Sequence, residues 1–143
     1  MILTRNFSLV EFLVSADHPA LAAKMLPDVD ARIASNLQRL CDTILQPLRD
    51  KFGPLKILSG YRSVELNAAA KGSATSQHRD GCAADLGGID IVMVWEYIVA
   101  NLNYHQVIRY PDKNFVHVSV ETFEKADKTK KKMICDKGVY TYA

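Results

Sequence analysis

The ten residues Ser76-Gln77-His78-Arg79-Asp80-Gly81-Cys82-Ala83-Ala84-Asp85 leave the chain few ways to fold around them. A polar stretch runs to Gly81, a residue type that accepts backbone conformations closed to others. Three small residues then lead to an aspartate. The pattern predicts a tight turn running into a buried strand, which carries His78 and Asp85 back toward one point. With one further nitrogen donor they would make a three-ligand zinc site with an open position for water, as catalytic zinc requires. The same residues also describe a plain polar turn feeding a capped strand, and the segment alone leaves both readings open.

Around this segment the chain reads as helices first and strands later. Ser8-Leu9-Val10-Glu11 matches a capping box, and Leu9, Phe12 and Leu13 give a short apolar face. Asp17-His18-Pro19 breaks that helix, so His18 reads as a turn residue rather than a ligand. From about Asp28 to Phe52, Ile33, Leu37, Leu40, Ile44 and Leu48 recur at three- and four-residue steps, which predicts an amphipathic helix. Pro47 kinks it or marks its last turn, and Gly53-Pro54 ends it. Leu55 to Leu58 reads as a strand, Ser63 to Ala70 as a short helix and Lys71 to Ser76 as a loop. Ile89 to Leu102 reads as a second strong helix bearing Val92, Trp95, Ile98 and Val99. His105 to Tyr110 and Phe115 to Val120 read as strands joined by the hairpin loop Pro111-Asp112-Lys113-Asn114. Alternation places Phe115, His117 and Ser119 on one face of the second strand, and Met133 to Tyr142 adds an edge strand. The expected fold class is α+β, one domain over residues 1–143, with helices packed on a small, mostly antiparallel sheet carrying the zinc site.

Composition narrows the partners. The chain has 143 residues, 48% apolar and 24% charged, enough for a real core in an ordinary globular balance. A net charge of +2 does not call for nucleic acid. The basic run from Lys125 to Lys132 lacks interleaved aromatics and reads as a solvated loop, able at most to adhere to an anionic polymer. No apolar run is long enough for a membrane span. Met1 to Asn6 lacks a basic region followed by an apolar core, so the expected compartment, as synthesised, is the cytoplasm. Cys41, Cys82 and Cys135 are odd in number and have no CxxC spacing, which argues against a disulfide framework and against a cysteine-zinc knot. Cys82 reads as a small buried filler. Nothing in the sequence specifies an oligomeric state.

His117 and Arg62 extend the metal reading. A lone histidine on an apolar strand is usually a satisfied core residue. It becomes a ligand if its face meets the turn carrying His78 and Asp85, and two histidines with one aspartate would leave zinc one position for a water of pKa about 7. Ser59-Gly60-Tyr61-Arg62-Ser63 puts an arginine just after a strand, where it either grips a substrate carboxylate in a bidentate fork or sits as a surface residue.

Taken in order, Ser59-Gly60-Tyr61-Arg62-Ser63, Ser76-x-His78-x-x-Gly81-x-Ala83-x-Asp85 and Phe115-Val116-His117-Val118-Ser119 resemble the D-Ala-D-Ala carboxypeptidase-like zinc peptidases. That family, of hedgehog-like zinc peptidase fold, includes bacterial D,D-carboxypeptidases, vancomycin-resistance D,D-peptidases and phage endolysins that cut the peptide stems of peptidoglycan. The resemblance runs from roughly Phe7 to Val120, and Tyr104-His105-Gln106-Val107-Ile108 is similar to the phage and prophage subgroup. It implies a cell-wall hydrolase with one Zn2+ per chain, held by His78, Asp85 and His117. Arg62 would hold a carboxylate or polarise the scissile carbonyl, Ser76 would hydrogen-bond the substrate, and Gln106 occupies a family position on the strand before the last ligand. Zinc would polarise the amide carbonyl and activate the attacking water.

The chain departs from the family at the general base. Family members commonly supply a carboxylate three residues before the final histidine, or on the preceding strand shortly after the glutamine. Here those places hold Asn114 and Tyr110. Asparagine cannot accept the proton, and a tyrosine of pKa near 10 is a poor base at neutral pH. Asp112 in the hairpin loop is the expected substitute, since Glu121 comes late on the strand and Asp80 lies within the metal turn. Two functions follow. The first is a zinc peptidase hydrolysing a D-amino-acid-containing bond in peptidoglycan stem peptides, of carboxypeptidase or endolysin type. The alternative is a zinc-containing module that has lost hydrolysis but binds cell-wall peptide or a protein partner.

Overall fold

The computed structural model describes residues 1–122 and 130–143. Its centre is a six-stranded sheet of β3 (Lys56–Ser59), β4 (Ala83–Gly87), β5 (Gln106–Tyr110), β6 (Phe115–Ser119), β7 (Lys131–Asp136) and β8 (Val139–Tyr142), in the order β3-β4-β6-β5-β7-β8. Every neighbouring pair is antiparallel except β5 with β7. A short hairpin, β1 (Ile2–Thr4) and β2 (Phe7–Ser8), precedes it. The helices are α1 (Pro19–Ala22), α2 (Ala31–Leu40), α3 (Gln46–Phe52), α4 (Val64–Ala69) and α5 (Ile91–Asn101). The expected α+β class, with helices on a mostly antiparallel sheet, is the class observed.

Strand alternation gives the sheet two unlike faces. Leu86, Val107, Val116 and Val118 are fully buried and join Leu37, Leu40, Val94 and Ile98 of the helices in the main core. The opposite face carries Asp85, Ile108 and His117, aligned by the pairings Asp85 with His117 and Ile108 with His117. The same row continues to Met133, the parallel partner of Ile108. The helical face stabilises the fold and leaves the other free for chemistry.

Local choices explain the helices. Asp30 caps α2, its Oδ1 accepting from the Ile33 N–H at 2.8 Å. The predicted positions Ile33, Leu37, Leu40, Ile44 and Leu48 are all buried. Pro47 has no N–H to give the preceding turn. The chain answers with a π-helical turn, Cys41–Leu45, in which the Gln46 N–H bonds the Cys41 carbonyl. The expected kink thus takes the form of a π bulge between α2 and α3. Gly53, at φ +84°, ends the helix.

Three expectations need adjustment. Ser8 opens only a 3-10 turn, Leu9–Phe12, although Glu11 accepts from the Ser8 N–H at 2.6 Å. Helix α5 buries the expected Trp95 and Ile98 and packs Val99 against the core, but its first turn brings Ile91 and Val94 inward and leaves Val92 exposed. The tail forms two strands rather than one, with β8 at the sheet edge. Of the basic run, Lys125 and Lys128 lie outside the described residues, while the Lys130 ammonium sits 5.4 Å from the centre of the Tyr104 ring. Among the described residues no helix is long and apolar enough to cross a membrane. The three cysteines are free and buried, and burial pushes the Cys82 thiol up to about 11, which suits a packing role.

Candidate metal centre

The turn that leads into β4 is built as its residues require. Ser76 caps the 3-10 segment Gln77–Asp80, its Oγ accepting from the His78 N–H at 3.3 Å. Gly81 then takes φ +74°, the left-handed conformation that a side chain resists. Space is equally short there, since a Cβ on Gly81 would stand 3.0 Å from the Ile33 carbonyl oxygen of α2. The chain reverses and enters β4, which delivers Asp85 directly opposite His117 on β6.

Three side chains converge on one point. His78 Nε2 lies 3.4 Å from Asp85 Oδ1, and His117 Nδ1 lies 3.0 Å from the same oxygen. The two imidazole rings stand 5.1 Å apart between centroids. One donor atom from each residue falls within 4.8 Å of the others, so the group could hold a metal ion. Bonds of about 2.0–2.2 Å to a tetrahedral zinc imply donors somewhat over 3 Å apart, and the 3.4 and 3.0 Å spacings to Asp85 lie near that value. The orientation of His78 supplies an independent test. Its Nδ1 stands 2.7 Å from the Gly60 carbonyl oxygen, so Nδ1 carries the proton and Nε2 presents a lone pair to the site, as metal-binding histidines are usually held. Two imidazoles and a carboxylate with room for further ligands fit zinc.

The surroundings bias the site toward cation binding and anion capture. Burial pushes the Asp85 carboxyl up, but the neighbouring His78 and His117 outweigh it, holding Asp85 well below the usual carboxylate range. Burial pushes the His117 imidazole below its ordinary value, against the opposing pull of Asp85. Arg62 stands behind the carboxylate, with Nη2 3.6 Å from Asp85 Oδ2 and Nε donating to Ser59 Oγ at 3.1 Å. Its backbone N–H also bonds the His78 carbonyl, at 3.0 Å, which ties the arginine segment to the ligand turn.

These groups open into a cleft of about 820 Å³. Arg62, Ser76 and Gln106 line it with the three candidate ligands. Asp112 does not: it is exposed on the β5–β6 turn, off the cleft wall. Asn114 has a conformational reason to be asparagine, since it takes φ +57° and its N–H closes the turn on the Tyr110 carbonyl at 2.8 Å. Burial pushes the Tyr110 hydroxyl well above the ordinary tyrosine range, so it is no base. Sequence reasoning named His105 and set Glu121 aside without placing either in the site, and it missed Met133 and Tyr140. His105 and Glu121 pair in the cleft, while Met133 and Tyr140 reach it from β7 and β8. Only strand pairing brings them there, and no local motif announces it. The Gly60 carbonyl was also missed, although Gly60 sits inside the Ser59–Ser63 motif.

No curated protein matches the chain at a significant level. The family model described as Peptidase M15 matches residues 14–119. That span includes Arg62, the ligand turn, β4, β5 and β6, and therefore every group that converges on the metal position. With most of the chain matched and the His-Asp-His group in place, the protein belongs to the peptidase M15 family, the D-Ala-D-Ala carboxypeptidase-like zinc metallopeptidases.

Proposed function

We propose that the protein is a zinc-dependent peptidase that hydrolyses a D-amino-acid-containing bond in peptidoglycan stem peptides, as a carboxypeptidase or as an endolysin-type endopeptidase. The observation that carries this reading is the convergence of His78 Nε2, Asp85 Oδ1 and His117 Nδ1 in an open cleft, with Arg62 beside them. M15 peptidases are zinc-dependent, and zinc bound to these three residues would polarise the scissile carbonyl and supply an activated water. Gly60 holds His78 in the tautomer that serves this role. Arg62, already braced by Ser59 and Asp85, retains N–H donors for a substrate carboxylate or for the carbonyl under attack. Ser76 and Gln106 offer hydrogen bonds along the cleft that would register the peptide backbone. This reading gives the proton from the attacking water to Asp112, the one carboxylate of the hairpin loop, which stands off the cleft wall and would have to reach in from the exposed turn. Synthesis in the cytoplasm and action at the cell wall, in the manner of a phage or prophage lytic protein, complete the reading.

The position of Asp112 on the exposed turn favours a second reading, a zinc-containing module that binds cell-wall peptide without cleaving it. One experiment separates the two. Purified stem peptides incubated with the zinc-loaded protein should be shortened or release D-alanine, and a chelator should stop the reaction. Binding without turnover would establish the module instead. Asp112→Asn should lower turnover at least about a hundredfold if Asp112 takes the proton; turnover equal to the parent protein would remove it from the mechanism.

A further inference from the structure

The β7–β8 hairpin lies beyond the residues shared with the family, 14–119, yet it walls the metal cleft with Met133 and Tyr140. Strand register shows how. Tyr110 pairs with Phe115 across β5 and β6. On the other side, Arg109 pairs with Ile134 of β7, and the next residue, Cys135, pairs with Tyr140 of β8. Phe115, Tyr110, Cys135 and Tyr140 therefore form one row across the open face. The adjacent row is Asp85, His117, Ile108 and Met133, two residues along the strands, or roughly 7 Å away. A tyrosine side chain spans that distance.

The Tyr110 ring is held firmly. It stacks on Phe115 at 4.3 Å with 13° between planes and meets Tyr140 edge-on at 6.4 Å. Its hydroxyl lies 3.3 Å from the Tyr140 hydroxyl. Each hydroxyl has one proton to give and lone pairs to accept with. When Tyr140 donates to Tyr110, the Tyr110 proton is left for a cleft ligand. The neutral phenol is then a donor on the wall of the cleft that His78, Asp85 and His117 also line, the type of group that stabilises charge developing on a carbonyl oxygen. Trp95 Nε1 donates to the Met133 carbonyl at 3.2 Å, anchoring β7, and hence the hairpin, to α5.

We propose that Tyr110 is a catalytic residue whose hydroxyl, positioned by Tyr140 of β8, donates a hydrogen bond to the scissile carbonyl oxygen as negative charge develops on it, so that the β7–β8 hairpin is part of the active site. The inference rests on the peptidase reading above. Tyr110 keeps its proton throughout: the oxygen gains charge when water adds to the carbon and loses it when the C–N bond breaks.

The test compares Tyr110→Phe, Tyr140→Phe and the double variant in zinc-loaded protein, using stem-peptide turnover and the affinity of a phosphinate pseudopeptide whose tetrahedral anion mimics the charged oxygen. Tyr110→Phe should lower kcat about a hundredfold with KM nearly unchanged. Its phosphinate affinity should fall by a similar factor, with zinc content and melting temperature retained. Tyr140→Phe should lower both by a smaller factor, and the double variant should match Tyr110→Phe alone, because Tyr140 acts only through Tyr110. Parental kcat and phosphinate affinity in Tyr110→Phe would overturn the proposal, as would independent, additive losses in the two single variants. Tyr140 is half exposed on an edge strand, so its variant reports on the pair even where Tyr110→Phe disturbs packing. Turnover by the parent protein, measured alongside, tests the peptidase reading separately.

Discussion

At the residue scale the centre depends on one atom that binds no metal. The Gly60 carbonyl oxygen fixes the His78 tautomer, and Gly60 can sit where it does only because it has no side chain. A Cβ there would stand 2.8 Å from the Phe12 Cα. Gly60→Ala should therefore push the backbone away from Phe12, costing about 1–3 kcal/mol in stability. Through the displaced carbonyl it should also weaken zinc binding by roughly 10–100-fold. Denaturant unfolding of the metal-free protein and a competitive zinc titration separate the two effects; parental zinc affinity in the variant would mean that the carbonyl does not orient His78. His117→Ala makes the complementary test, because it deletes a donor outright. Its zinc content after dialysis should fall from one per chain to near zero, and a full equivalent retained would show that the metal binds elsewhere.

At the element scale, α2 carries no site residue yet sets the position of the ligand turn. The Asn36 amide donates to the Asp80 carbonyl at 2.9 Å, and Arg32 reaches Asp80 Oδ1 at 3.1 Å. Asn36 is almost wholly buried, so Asn36→Ala strands a carbonyl and should destabilise the protein by about 1–3 kcal/mol. Zinc affinity should fall more modestly than in Gly60→Ala, because β4 still places Asp85; an affinity loss larger than that of Gly60→Ala would reverse this ranking of supports. The contrast also shows what was legible in the sequence. The turn into β4, the strands β5 and β6 and the long helix from α2 to α3 were readable, because each is written in local periodicity, a glycine or a proline. The π bulge before Pro47 was readable as a kink but not in its form, since several arrangements satisfy a missing N–H. The part of the cleft wall that β7 and β8 supply was not readable. Tyr140 enters only through the parallel pairing of β7 with β5, and parallel pairing joins strands that no hairpin signal connects. The candidate metal donors were visible because their motifs are compact, whereas the general base depends on which way the short β5–β6 turn faces.

For the whole molecule, the sheet separates stability from chemistry. The helical face holds the main core, while the metal residues occupy the other face, where the balance of protons becomes part of the stability. Burial holds His117 below its ordinary value of 6.5, and Asp85 lies below 3.8. A group whose folded pKa is lower than its unfolded one binds fewer protons in the native state between those two values. Stability therefore rises with pH across that window and is lost as pH falls through it. For His117 the window opens at 6.5 and extends downward, and for Asp85 it opens at 3.8. Zinc deepens the first loss, because protons compete with the metal for the imidazoles. The zinc-loaded protein should hold a constant unfolding midpoint from about pH 8 to about pH 7 and then fall steadily below about pH 6.5. Chelation at about pH 7.5 should lower the midpoint, by the equivalent of about 2.7 kcal/mol when free zinc had been a hundredfold above its Kd. The chelated protein should then show a shallower acid slope, since the competition between protons and zinc is gone and the shifts of the protein's own groups, His117 and Asp85 among them, remain. Unfolding curves across this pH range, with and without chelator, measure both quantities. A midpoint that ignores chelation would place the metal outside the folded core of the site, and one that does not fall in acid would mean that His117 is not held neutral in the native state.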